Sequence, residues 1–362
     1  MQSTIRALIV SSLVIGSVPS VSTTKSAEVS PTGVMSTPRS GHTATLLPNG
    51  LVLIAGGMLR NGSIRGTAEL YDPATGRFRL TSDSMTTSRV GHCATLLADG
   101  RVLLAGGWDA NGTLASAELY DPVSNRFRPA GAMASRRGDF TATLLPSGKV
   151  LVVGGEDDRA LATAELYDPL VARFSATGAM RSGRTLHTAT LLANGKVLIV
   201  GGGEYEHPLA SAELYDAGSG TFAETGPMSV VRYKHGAIGL TDSTVLVLGG
   251  SDARDWKGLE ASTEIYDPRR GTFATTAAMR SPRFKFPGAL ALLANGRVLI
   301  AGGAEQPEIY DSRRHVFVPT SGRLDAARYY STATRLNDGR VLIAGGYDRT
   351  SAATDRAWVY RP

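Results

Sequence analysis

A pair of adjacent glycines closes a run of apolar residues seven times along this chain of 362 residues. The first glycines of the pairs are Gly56, Gly106, Gly154, Gly201, Gly249, Gly302 and Gly345. Self-similarity at a nearly fixed period constrains a chain more than any composition, because each unit must then be one supersecondary element stacked on its neighbours. The rest of the unit repeats with it. Six of the pairs are followed by an acidic-apolar-Tyr-Asp element with its tyrosine at Tyr71, Tyr120, Tyr167, Tyr215, Tyr266 and Tyr310; the seventh is altered to Trp358-Val359-Tyr360. Seven residues beyond each of the six tyrosines stands Phe78, Phe127, Phe174, Phe222, Phe273 or Phe317. A methionine then ends most units, as at Met85, Met133, Met180, Met228 and Met279.

Each unit reads as four short strands. In the first, His42 to Leu47 is strand a, Leu51 to Ala55 strand b, Ala68 to Asp72 strand c and Arg77 to Leu80 strand d, with a tight Asn-Gly hairpin at Pro48-Asn49-Gly50 between a and b. Strand b is apolar throughout, as in Val102-Leu103-Leu104-Ala105, and a continuous apolar strand is buried on both faces. A sheet packed between two other sheets has that environment. Four-stranded sheets at this period predict a β-propeller. Glycine-glycine after an apolar strand, then tyrosine, then a large aromatic at fixed distance resembles the kelch repeat, over about residues 28 to 362. Phenylalanine replaces the family's usual tryptophan in six units. The variant with His-Thr-Ala-Thr-Leu-Leu is similar to the propeller domain of galactose oxidase and its relatives.

The expected fold is therefore all-β: a seven-bladed kelch-type β-propeller of four-stranded antiparallel blades. The last unit stops at Pro362 without a strand d. Val29-Ser30-Pro31-Thr32-Gly33-Val34-Met35 copies Phe127 to Met133 in length and ending, so the N-terminal strand is expected to close the ring. Residues 28–362 form this propeller, 23–27 a linker and 1–22 an export signal. In the signal, Arg6 precedes an apolar run from Ala7 to Val18, and the small residues Ser17, Ser20 and Ser22 follow. Such a chain is secreted or periplasmic, with no stable membrane insertion after signal removal. Cys93 is the only cysteine, so no intrachain disulfide is available.

Chain direction puts the short a–b turns at one end and the irregular b–c loops at the other, where binding sites are usually built. The b–c loops carry Trp108, Tyr205 and Trp256, and the acidic and imidazole groups of Glu156, Glu204, Glu206 and His207. An arginine precedes strand a in every blade: Arg39, Arg89, Arg137, Arg184, Arg232, Arg283 and Arg328. Strand a lines the channel, so these arginines are expected to ring its mouth on the variable face. They either bind a ligand or bond to loop carbonyls and to aspartates such as Asp109, Asp157, Asp252 and Asp348. His42, His92, His187 and His235 share one repeat position, on separate blades, which favours packing over metal binding.

A net charge of +6 favours anionic partners, but the basic residues are spread and no lysine run marks a nucleic-acid surface. The function expected is a non-catalytic monomeric scaffold, without cofactor. It would bind an anionic ligand, a glycan or an acidic protein segment through the arginines, Trp108, Tyr205 and Trp256. The alternative is an enzyme resembling the exported kelch mutarotases, acting on an acidic sugar. A radical-copper oxidase is disfavoured. That resemblance implies a Tyr-His pair at the start of an inner strand and a cysteine cross-linked to tyrosine, whereas Tyr330 is followed by Ser331 and Cys93 lies within a strand.

Overall fold

The computed structural model describes residues 27–204 and 207–362; the export signal expected over 1–22, and Tyr205 and Glu206, lie outside them. The described residues form seven four-stranded antiparallel sheets, two two-stranded ribbons and a single 3₁₀ turn, Asp255–Lys257. In the first blade the strands are Thr43–Leu46, Val52–Ala55, Ala68–Asp72 and Arg77–Leu80. The a–b hairpin is the tight turn expected at Pro48-Asn49-Gly50. Only Gly50 is left-handed, with φ 82°, and Leu47 N–H donates to Leu51 O across a three-residue loop. Pro48 prefers the φ of a type I turn, and the glycine then supplies the bulge that restores strand direction.

Every strand b is buried on both faces for a reason visible in its alternation. Val52 and Ile54 point toward the last blade, where they meet Leu342, Ala344 and Val359. Leu53 and Ala55 point toward the second, against Val102, Leu104 and Tyr120. Seven such cores, one between each pair of neighbouring blades, hold the ring. The seven-residue spacing of tyrosine and phenylalanine is a cross-strand pair between c and d: Tyr71 stands opposite Phe78 with ring centroids 4.8 Å apart.

The N-terminal strand closes the ring as expected. Glu28–Pro31 is the outer strand of the last sheet and pairs with Ala357–Arg361, Val29 opposite Tyr360. Two circuits of backbone hydrogen bonds run round the molecule. In one, the second glycine of each pair donates to the carbonyl of the next blade's arginine, from Gly57 to Arg89 and so on until Gly346 donates to Arg39. Glycine is required at both positions of the pair: a Cβ on Gly57 would come within 2.9 Å of Ser40 O, and one on Gly56 within 2.5 Å of Arg89 O. The other circuit frames the channel.

Candidate functional site: the mouth of the channel

Two residues after each repeated arginine, the chain takes a left-handed conformation. The seven residues are Gly41, Gly91, Asp139, Leu186, Lys234, Lys285 and Tyr330, with φ between 45° and 61°. Each amide donates to the carbonyl of its counterpart in the preceding blade, at 2.6–3.2 Å, and Gly41 completes the circle on Tyr330. Glycine adopts this conformation without cost, and five of the seven positions are not glycine. Side chains held in such backbone gather where function requires them. This ring frames a cavity of about 450 Å³ whose wall includes Gly41, Gly91, Asp139, Tyr330 and the inner strands.

The ring carries ionisable side chains at Asp139, Lys234, Lys285 and Tyr330. Asp139 stands beside Gly91 and the Trp108 indole; a Cβ on Gly91 would lie 3.1 Å from Asp139 Oδ1 and 2.4 Å from Trp108. Burial, reinforced by the nearby Glu156 and opposed by Lys234, pushes the Asp139 carboxyl up to about 7. Two positions further round the ring, Lys234 donates to Asp255 Oδ1 at 2.8 Å, and Tyr233 Oη donates to the same oxygen at 2.9 Å. Lys285 follows Lys234 on the ring. Its ammonium lies 4.6, 4.9 and 5.8 Å from the centroids of Trp256, Phe284 and Tyr347. Burial and the charge of Lys234, opposed by Asp255, bring it down to about 8. Trp256, Phe284, Tyr329 and Tyr347 form one aromatic cluster through edge and tilted contacts at 4.5–5.6 Å.

The seven arginines do not stand at this mouth, which corrects the expected ring of binding groups. They are buried and turn into their blades. Arg89 donates to the carbonyls of Gly106 and Ser116, to the Ser116 hydroxyl and to Glu118 at 3.1 Å. Arg39, Arg137, Arg184, Arg232 and Arg283 repeat the pattern with Glu69, Glu165, Glu213, Glu264 and Glu308. The partner is the glutamate of the repeated acidic-apolar-Tyr-Asp element. Asp109, Asp157, Asp252 and Asp348, expected as partners, bond within or between loops instead. In the last blade Trp358 replaces the glutamate. Arg328 there bonds Asp325 at 2.7 Å and lies over the Trp358 ring.

Of the loop residues singled out in the sequence, Trp256 reaches the mouth and Trp108 packs beside Asp139. Glu204 and His207 face each other on an exposed ribbon. Asp139, Lys234 and Lys285 were missed. The signal was the position two after the arginine, which varies, between the repeated arginine and a position that is histidine in four blades.

The histidines serve the seams between blades. Nε2 of His42, His92, His187 and His235 pairs with Thr332, Thr43, Thr141 and Thr188 of the preceding blade at 2.9–3.2 Å. Where the next blade carries phenylalanine instead, the threonine is replaced. Cys93 precedes Phe140, and Gly236 makes room for Phe286. The Cys93 thiol donates to Phe140 O at 3.1 Å and borders the channel; burial pushes it up to about 12.

Comparison with known proteins follows the geometry. The Kelch motif family matches residues 89–134. No curated protein matches the chain. Among solved structures, a fungal alcohol oxidase of the AA5 family in complex with copper is similar, with a TM-score of 0.74 and 19% identity over 93% of this chain and 76% of that one. That likeness overturns the reading as a non-catalytic scaffold, since it joins the fold to an enzyme. The buried Arg–Glu pairs take these arginines out of any ligand site. The residues here do not fit copper. Among the described residues no three His, Cys, Asp or Glu side chains converge. The repeat histidines are spent on threonines, and Ser331 stands next to Tyr330. The chain is a seven-bladed kelch-repeat β-propeller with the fold of the galactose oxidase-like proteins.

Proposed function

We propose that the chain is an enzyme that moves protons at the channel mouth, on a small compound bearing a hydroxyl beside a carbonyl. The observation that carries this reading is one strained ring that sets the Asp139 carboxyl in the cavity wall, where burial raises its affinity for a proton, and that carries Lys234 and Lys285 at two of its other positions. A general base works best when its pKa lies close to the working pH. Asp139 removes the proton from the carbon next to the carbonyl. The positive charge of the Lys234–Lys285 arc stabilises the negative charge that develops on the carbonyl oxygen. The likeness to an alcohol oxidase supports hydroxyl compounds as the substrate class.

The test is hydrogen exchange. A panel of α-hydroxy aldehydes and ketones is incubated with the protein in deuterated water, and loss of the α-proton is followed by NMR. Exchange is expected to rise with pH through about 7, as Asp139 loses its proton. Asp139→Asn should slow it by about 10²–10⁴-fold, the usual share of a general base, at unchanged melting temperature. A wild-type protein inert toward the whole panel, or an Asp139→Asn variant as fast as wild type, overturns the proposal.

A further inference from the structure

We infer that Lys285 is a nucleophile that captures a carbonyl compound as a Schiff base. The inference rests on the proposed reading of the mouth as a carbonyl site, and it names the covalent step there.

The geometry sets Lys285 apart from the other lysines. The chain has six: Lys25, Lys149, Lys196, Lys234, Lys257 and Lys285. Lys149 and Lys196 are paired to Asp168 and Asp216 at 3.2 Å on the surface, and Lys234 is paired to Asp255. Lys285 makes no ion pair or side-chain hydrogen bond with a described residue. Its Nζ is bounded by the rings of Trp256, Phe284 and Tyr347. Its backbone is fixed in the left-handed region, with φ 56°, by its bond to Lys234 and by the bond it accepts from Tyr330. Two conditions activate an amine: an apolar pocket, and a second cation beside it. The aromatic rings meet the first condition. Lys234 meets the second, and its bond to Asp255 holds it in place. The groups facing Lys285 are therefore Lys234, Asp255 and Tyr347, and burial with Lys234 outweighs Asp255 in lowering its affinity for a proton.

The step balances without an outside oxidant or reductant. The Nζ lone pair attacks the carbonyl carbon, a C–N bond forms, and the oxygen takes up a proton to give a carbinolamine. The C–O bond then breaks, and the oxygen leaves as water with the two hydrogens that Nζ has given up. The product is an imine, which when protonated draws electrons from the neighbouring C–H bond more strongly than the carbonyl does. Asp139, on the same ring, then has an easier proton to remove.

Reductive trapping tests this. The full chain is treated with glyceraldehyde and sodium cyanoborohydride between pH 6 and 10, and adducts are mapped by peptide mass spectrometry. Lys149, Lys196 and Lys257 serve as internal controls. Lys285 is expected to be modified at least tenfold faster than any of them at pH 7.5, with a half-rise near pH 8. Lys234→Met should shift that half-rise upward, and Lys234→Arg should restore it. Lys285 labelled no faster than the surface lysines, or a half-rise unmoved by Lys234→Met in a folded variant, overturns the inference. The two proposals fail separately. Proton exchange without trapping at Lys285 removes the Schiff base and leaves Asp139 as base. Trapping without exchange does the reverse.

Discussion

Six of the repeated arginines are wholly buried charges, and each is balanced by a glutamate two strands away in its own blade. The glutamate also accepts a backbone amide from the loop after the methionine, as Glu165 does from Ala134 at 2.8 Å. A buried pair of this kind contributes little over an apolar substitute, but losing one partner strands the other charge. Arg137→Leu is therefore expected to cost about 3–5 kcal/mol in urea unfolding, part of it recovered in the double variant with Glu165→Leu. Arg328→Leu should cost less, because its partner Asp325 is 22% exposed and can be solvated. Equal losses in the two arginine variants would contradict this account. The histidines give the residue scale a pH signature. Burial first, and the adjacent repeat arginine second, hold His42, His92, His187 and His235 at about 3, against 6.5 when unfolded. The folded state refuses protons that the unfolded chain accepts. The stability they contribute is thus complete above about 6.5 and is lost as pH falls toward 3, by roughly 1 kcal/mol per pH unit for each histidine. His92→Gln, which can still bond Thr43, should lower the acid slope of stability by about one such share; an unchanged slope would mean the ring is not excluded from protonation.

At the scale of the strand and the turn, the seam between the two ends of the chain is the element most open to test. Val29 N–H donates to Ser321 O, and Ser321 N–H donates to Ala27 O, so the N-terminal strand is tied to the loop before the last blade as well as to its partner strand. Gly322 sits against it: a Cβ there would meet Val29 O at 2.1 Å, at a φ of +78°. Gly322→Ala is expected to lower the melting temperature by several degrees and to open the seam, seen as faster amide exchange at Val29 and Tyr360 than at Val197 or Leu198 in an intact blade. Uniform exchange across all blades would show that the seam is not the weak joint. Strands, hairpins and this closure were legible in the sequence because each is local or repeated. The copied ending Val29 to Met35 announced a strand d without a blade, and the tyrosine–phenylalanine spacing is fixed by one hairpin. The arginine partners were not legible from proximity. Asp109 or Asp157 are near in sequence to the mouth, whereas Glu118 and Glu165 reach the arginines only because strand c lies behind strand b.

Considered whole, the molecule builds its mouth from one residue per blade, so the site has no contiguous motif. Asp139 and Lys285 are nearly 150 positions apart, and nothing local to either marks it. What brings them together is the circle of amide bonds from Gly41 through to Tyr330. That circle also makes the site dependent on a complete chain. Glu28–Pro31 is made before the first blade and its partner Ala357–Arg361 after the sixth, and the sheet they share supplies Tyr330 to the ring. A nascent chain still lacking that sheet can form six blades, but Gly41 has no carbonyl to reach, and the left-handed residues have an open arc instead of a circle. The mouth therefore cannot exist before the seventh blade does: the arrangement of Asp139, Lys234 and Lys285 is acquired in one step, when Glu28–Pro31 meets the last sheet.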